Sequence, residues 1–275
     1  MTPDKVSTSS TGIVYSCYHN ISREGEHFVP EQTLSYLAAG SLVLNDGKKA
    51  YNAAAGSLRF IKRNQLLKFV KHPPEKQEFQ SLSIYLDQET LKEFSKEYGI
   101  TAAEKQSQQS IFDIKPTPLI KSYLHSLLEY QQVNGFTNPA LTKLKQKEAL
   151  LLILEVQPDL KNILFDFAEP YKIDLESFMQ KNYHFNVRLE RFAYLTGRSL
   201  ATFKRDFQKI FGTSPRHWLQ QKRLDQARYL IQEKGQTASN IYLDLGFENL
   251  SHFSYAFKNV FGVSPTELSP AIRGK

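Results

Sequence analysis

The sequence predicts an α+β protein. A small β-barrel comes first, a helical pair follows it, and an all-α region closes the chain with two helix-turn-helix units joined by a long helix. Three observations carry this prediction. Residues 12–86 break into short β-prone runs separated by turn residues, and residues 88–156 carry helical periodicity. Near the end one pattern occurs twice: Leu200, Phe203, Phe207, Phe211, Gly212, Ser214 and Pro215 recur, at a constant offset of fifty, as Leu250, Phe253, Phe257, Phe261, Gly262, Ser264 and Pro265.

Residues 1–11 read as a lead-in with no apolar stretch of the kind a signal peptide needs. Strands are expected around Val14, Cys17 and Tyr18, then at 33–38, 41–45, 57–62, 66–71 and 79–86. Asp46-Gly47 marks a hairpin, and Arg63-Asn64 and His72-Pro73-Pro74 separate later runs. A first helix is predicted over 88–98. The next, 118–132, places Leu119, Ile120, Tyr123, Leu124, Leu127 and Leu128 on one stripe, and Asn134-Gly135 breaks it. Helix 139–156 contains the longest purely aliphatic run, 149–154, far shorter than the ~20 residues of a membrane span. The two helices 118–132 and 139–156 either cover the sheet or form a homodimer interface; the apolar run at 150–154 favours the interface.

A linker at 166–172, centred on Glu169-Pro170, divides the chain into a regulatory and dimerisation domain (1–165; barrel 12–86, helices 88–156) and a helical domain (173–275). In the latter, 174–181 is a first helix. Asn186 caps a second that ends at Thr196-Gly197, Ser199 caps a third that stops at Gly212, and Ser214 with Pro215 opens a long fourth ending near Gly235. Residues 237–245, the turn Gly246-Phe247 and a helix to Phe261 repeat the short pair. Ser264-Pro265 starts a last turn.

Charge is distributed unevenly. Residues 171–275 hold 16 basic and 9 acidic side chains, whereas the remaining 170 hold 19 of each. The whole net charge of +7 therefore lies with the repeat, where it suits a polyanion such as the phosphate backbone. Cys17 is the only cysteine, which rules out an intrachain disulfide and fits a reducing cytoplasm.

On the first repeated helix, Leu200, Phe203, Phe207 and Phe211 fall on one face, which must be buried. The opposite face carries Arg198, Ala201, Thr202, Arg205 and Lys209, with Lys204 at its flank. Small residues beside an arginine suit close approach to a DNA groove, where a guanidinium bonds guanine O6 and N7 together. The bland alternative is a solvated charged face. The second copy buries Leu250, Phe253, Phe257 and Phe261 and shows Glu248, Ser251, His252, Tyr255 and Asn259, with Lys258 at the side. It is polar but barely basic, so the first copy is expected to give more affinity and base readout. The connector 215–234 would span ~30 Å as a helix, close to the ~34 Å of one B-DNA turn. Trp218, Leu219, Leu224, Ala227, Leu230 and Ile231 would pack it against both units, leaving Lys222, Arg223 and Arg228 for phosphate or for solvent.

Taken together, these residues resemble the DNA-binding domain of the AraC/XylS family of bacterial transcription regulators. The first unit is similar in Ala193, Ser199, Phe203, Arg205, Phe207, Gly212, Ser214-Pro215, Leu219, Arg223-Leu224 and Ala227. The second is similar in Ile241, Gly246-Phe247, Ser251, Phe253, Phe257-Lys258, Gly262 and Pro265. The resemblance implies a seven-helix domain that binds double-stranded promoter DNA through recognition helices 199–211 and 249–261, and activation by contact with RNA polymerase. By position it gives base-reading places to Ala201, Lys204 and Arg205 in the first unit and to Asn249, Leu250, Ser251 and Tyr255 in the second. With the flanking polar residues, the expected DNA-binding set is Arg198, Ser199, Ala201, Thr202, Lys204, Arg205, Lys209, Asn249, Leu250, Ser251, His252, Tyr255 and Lys258. Three departures stand out: Tyr255 replaces a frequent Arg, Tyr242 replaces a usual Ala, and Thr-Glu-Leu268 follows Pro265 in place of Tyr-Arg. The order of the first half, a barrel and then a helical pair, resembles AraC-family regulatory domains with a cupin-like barrel, and most of all the ExsA type. In that type the regulator dimerises through its helices and answers to a protein partner.

No enzyme is expected. A cupin-type metal site needs converging ligands, commonly a His-x-His pair, and His19, His27, His72 and His125 are scattered. No cofactor is implied, and no Gly-rich phosphate loop or CxxC is present. The effector, a small molecule or a protein, stays open; a small ligand would meet Arg59, Lys62 or Tyr85.

Overall fold

The computed structural model describes residues 12–23, 27–103, 109–133 and 137–268. The predicted lead-in 1–11 and the helix break at Asn134-Gly135 lie outside these residues. The chain divides into two compact units, Met1–Ala168 and Glu169–Lys275.

The first unit is sheet-rich. Its strands are β1 (Ile13–Tyr18), β2 (Phe28–Val29), β3 (Gln32–Ala39), β4 (Ser41–Asn45), β5 (Ala50–Ala54), β6 (Leu58–Ile61), β7 (Gln65–Leu66), β8 (Lys68–His72), β9 (Phe79–Leu86) and β10 (Ile111–Ile114). They form three antiparallel ladders: a five-stranded sheet in the order β1-β9-β3-β6-β10, a three-stranded sheet β5-β4-β8, and the pair β2-β7. The β4-β5 hairpin turns at Asp46-Gly47 as predicted; Asp46 Oδ1 accepts from the backbone N–H groups of Lys48 and Lys49 at 2.9 and 2.8 Å. Strand β10 was not expected. It follows a helix and pairs with β6 through Ile111↔Ile61 and Ile114↔Leu58. Four residues between loop stretches carry too little periodicity to announce a strand; only the β6 edge makes one of them.

The two faces of the five-stranded sheet feed different cores. Leu34, Leu58, Phe60, Leu82 and Ile84 pack under the helices, whereas Leu37, Ile61, Phe79 and Ile111 pack with Leu42, Leu44 and Ala53 of the three-stranded sheet. All four residues of β6 are buried, so this strand reads as a continuous run rather than an alternation. That run includes Arg59, whose charge needs partners once buried. Its Nε lies 2.7 Å from Asp113 Oδ1, and its terminal nitrogens donate to the carbonyls of Tyr51 and Asn52. Arg59 thus fastens β5 and β10 to β6 and is withdrawn as a ligand candidate.

The helices of this unit are α1 (Gln88–Tyr98), α2 (Pro118–Val133), α3 (Pro139–Val156) and α4 (Lys161–Leu164), the last preceded by a 3-10 turn at Pro158–Leu160. Asp87 caps α1 by accepting from Thr90 N, and Asn138 caps α3 by accepting from Ala140 N and Leu141 N. The stripe of α2 is confirmed with one correction: Leu119, in the first turn, is 63% exposed while Ile120, Leu124 and Leu127 are buried. The aliphatic run of α3 is divided as well. Leu150 and Ile153 are buried in the core, Leu152 and Leu154 pack partly against it, and Leu151 is exposed with Leu144 one heptad earlier.

The second unit is helical: α5 (Leu175–Asn182), α6 (Leu189–Leu195), α7 (Leu200–Phe211), α8 (Pro215–Lys234), α9 (Ala238–Ile241), α10 (Leu250–Phe261) and α11 (Pro265–Leu268). Among the described residues no helix is long and apolar enough to cross a membrane. Two boundaries differ from expectation. Helix α6 starts at Leu189, and Asn186 does not cap it; its Nδ2 donates to Glu248 Oε1 at 3.2 Å. Helix α9 has four regular residues where nine were predicted, and the chain then turns through Leu243–Gly246. Tyr242, half-buried in place of a small residue, stands where the regular helix stops.

Candidate nucleic-acid interface

Helices α7 and α10 are built alike. Ser199 caps α7 by accepting from Thr202 N at 3.2 Å, and Gly212 ends it with φ +68°. Asn249 caps α10 by accepting from His252 N at 2.7 Å, and Gly262 ends it with φ +76°. Side-chain caps at one end and left-handed glycines at the other give both helices the same twelve-residue length. Phe203 and Phe207, like Phe253 and Phe257, are fully buried. The predicted buried quartets need correction at their ends: Leu200, Phe211 and Phe261 are half-buried, and Leu250 is 39% exposed. At either end of a helix one neighbouring turn is missing, so the hydrophobic stripe opens there.

The outward stripe of α7 consists of Ala201, Lys204, Arg205, Gln208 and Lys209, all exposed. This is the i, i+3, i+4, i+7, i+8 spacing of one helix face. Arg205 is 77% exposed, and its ion contact with Asp206 on its own helix is a loose 3.9 Å. The matching stripe of α10 is Ser251, Tyr255, Lys258 and Asn259, with Ser254 half-buried and His252 alongside near the Phe247 ring. Tyr255 is 68% exposed. Three cations therefore face outward on α7 and one on α10.

Arg198 is a correction. It was expected on the outer face, but its side chain is only 6% exposed. Its Nε lies 3.1 Å from Asp206 Oδ2, and its Nη1 donates to the carbonyls of Ile173 and Thr196 at 3.0 and 2.7 Å. It pins α7 rather than meeting DNA. The hydrogen bond from Arg198, helped by Lys172 and Arg205, holds the Asp206 carboxyl below the usual carboxylate range. Thr202 is half-buried at the flank, its hydroxyl accepting from Ser199 Oγ at 3.0 Å. Asn249 and Ser199 remain exposed, each with its side-chain oxygen used in capping.

Helix α8 joins the units. Trp218, near its start, packs against Phe207 and Phe211 at ring separations of 5.7 and 4.7 Å. Leu224, Ala227 and Ile231, further along, belong to the core around Phe253 and Phe257. Arg223, read from sequence as a phosphate or solvent residue, is instead a clamp. Its Nε donates to Tyr183 O at 2.8 Å, its Nη1 to Gly246 O at 3.1 Å and its Nη2 to Phe185 O at 2.9 Å. Burial lowers this guanidinium to about 10, which leaves it protonated at neutral pH. Gly246, at φ +84°, has no room for a side chain: a Cβ would lie 2.9 Å from the Arg223 guanidinium carbon. Lys222 lies 6.0 Å from the Tyr183 ring, while Arg228 sits 5.3 Å from the Phe261 ring and donates to Gln232. The sequence signal for Arg223 was ambiguous because a helical arginine looks alike whether it clamps carbonyls or faces water.

Among the described residues no three His, Cys, Asp or Glu side chains group as a metal site. What the second unit displays is a pair of solvent-facing helix stripes at corresponding positions, unequal in charge, on a compact basic scaffold. This is the class of DNA-binding proteins with two helix-turn-helix units.

Comparison with known proteins agrees. A helix-turn-helix domain family matches residues 192–270, and the ExsA N-terminal regulatory domain family matches residues 32–164. The HTH-type transcriptional regulator ExsA of Pseudomonas aeruginosa is 25% identical over 260 residues, covering 92% of this chain and 91% of that protein. The virulence regulon transcriptional activator VirF of Yersinia enterocolitica is 26% identical over 242 residues, covering 85% and 87%. A crystal structure of ToxT from Vibrio cholerae aligns over 94% of this chain and 97% of its own at 13% identity, with a TM-score of 0.46. The matches support an AraC/XylS-family regulator with an ExsA-like N-terminal domain, and the chain is a DNA-binding transcription regulator.

Proposed function

We propose that α7 and α10 enter successive major-groove segments of promoter DNA on one face of the duplex, and that α7 supplies most of the grip. The observation that carries this is the pair of exposed stripes at an offset of fifty, held on either side of a 20-residue helix. That helix is ~30 Å long, near the ~34 Å helical turn of B-DNA. Lys204, Arg205 and Lys209 give the first stripe its charge, with Arg205 as the base reader; Ser251, Tyr255 and Lys258 give the second a weaker, more positional contact. Ala201 and Ser251 are small enough for close approach, and Ser199, Thr202, Asn249, Leu250 and His252 border the contact at the helix starts.

The relatives named as transcriptional activators support activation as the outcome, through RNA polymerase bound beside the protein. The first unit is read as the controlling domain. Leu144 and Leu151, exposed two turns apart on α3, support dimerisation between copies of the chain through α2 and α3. Sedimentation of a Leu144→Glu/Leu151→Glu variant tests this; an unchanged mass distribution rejects it.

Gel shifts with the full chain test the DNA reading, on its own promoter region against random competitor at physiological salt. Binding much tighter to the promoter than to random DNA is expected. Equal binding to both overturns the reading.

A further inference from the structure

The turn of the first helix-turn-helix unit is fastened by the segment with which the second compact unit begins. Four contacts hold residues 169–173 against α6 and α7. Tyr194 Oη donates to Glu169 Oε2 at 2.6 Å. Gly197, at φ +65°, lies directly on the backbone of residues 171 and 172; a Cβ there would be 2.3 Å from the Tyr171 carbonyl carbon and 2.4 Å from Lys172 N. Arg198 donates to Ile173 O, and Lys172 Nζ lies 3.6 Å from Asp206 Oδ2. Arg198 and Lys172 therefore converge on one carboxylate in the middle of α7, one from the turn and one from the segment.

The second unit is fastened differently. At the offset of fifty, Glu248 replaces Arg198 and a buried Ala256 replaces Asp206. Its turn is held by Arg223 through Gly246 O, from within the connector helix. The turn before α10 is thus held from the connector helix, and the turn before α7 by residues 169–173 at the start of the helical unit.

We infer that residues 169–173, acting through Arg198 and Asp206, are a positioning strap for the first recognition helix alone, so that displacing this segment degrades DNA reading under α7 and leaves reading under α10 intact. The segment is where the regulatory half joins, so control of DNA reading by that half would be one-sided: it would act on the strongly charged helix.

The inference rests on the proposal that both helices read DNA, and the experiment separates the two. A duplex is selected from a randomised pool by the wild-type full chain. Arg205→Ala then identifies the half under α7 by its base-specific loss. Every base pair of both halves is substituted singly, and binding is measured for wild type, for Glu169→Gln/Lys172→Ala and for Asp206→Ala. In both variants the substitution penalties under α7 are expected to fall from about tenfold or more toward unity, while those under α10 stay as in wild type. Loss of the Lys172 charge as a phosphate contact would weaken all sequences equally and leave both penalty patterns unchanged. Unchanged patterns, or patterns weakened alike in both halves, overturn the strap. If Asp206→Ala does not fold, the surface double variant decides alone. A wild-type chain that enriches no sequence overturns the two-helix reading, and the strap with it.

Discussion

The two helix-turn-helix units share a hydrophobic skeleton and their helix caps, and differ in how their turns are fastened. Phe203 and Phe207 have their counterparts in Phe253 and Phe257, each buried completely. Yet Arg198 and Asp206 of the first unit have no equivalents in the second, and the Arg223 clamp reaches the second turn and not the first. The difference shows that aromatic burial makes the unit, while scattered side chain–carbonyl bonds aim it. A buried face tolerates little change because a lost ring leaves a cavity. A turn can be held by any donor that reaches its free carbonyls, so the fastening is free to differ.

Four experiments would break or sharpen this comparison. The largest effect is expected from Phe207→Ala and Phe257→Ala, each costing about 3–5 kcal/mol in denaturant unfolding. If the skeletons are equivalent the two losses match; a much milder Phe257→Ala would make the second unit the looser one. Next, Arg223→Met leaves three carbonyls without their donor and is expected to cost about 3 kcal/mol. Amide exchange should rise around residues 183–185 and 246 and stay low around 196–198; a uniform rise would contradict a local clamp. Third, Arg205→Ala is expected to cost about 1–3 kcal/mol of binding and relax specificity at one base pair, with Tyr255→Ala costing less. Equal losses would remove the inequality between the helices, and an Arg205→Ala loss equal on all sequences would make Arg205 a phosphate contact. The smallest effect is on pH. Asp206 has a depressed folded-state pKa, so its contribution is complete above the ordinary carboxylate range and is lost as pH falls through the depressed value. Carboxyl titration by NMR should show Asp206 protonating below the ordinary aspartate range. A normal Asp206 midpoint would mean that the Arg198 bond is weak.

Much of the helical unit was legible. Ser199, Ser214, Gly212 and Gly235 mark the ends of α7 and α8 because caps and left-handed glycines act within one turn of chain. The offset of fifty exposed the outer stripes, because helical periodicity alone decides which residues share a face. Asn186 misled: a good capping residue lay three positions before α6 and bonded Glu248, 62 residues away. Strand β10 was hidden for a related reason, since its only support is the edge it joins.

The sequence by itself determined the α+β order, the duplicated aromatic skeleton, the unequal charge of its two outer faces and the family. The first three rest on local periodicity, caps and composition, and the family rests on the motif residues that carry the resemblance. Only the tertiary structure decided what Arg59, Arg198 and Arg223 do. Each is an arginine in a run that sequence alone reads as surface or ligand, and each is turned inward against backbone carbonyls of other segments. A guanidinium taken out of water must find acceptors. Which carbonyls it finds depends on how remote pieces of chain come together, and that information is absent from any local pattern.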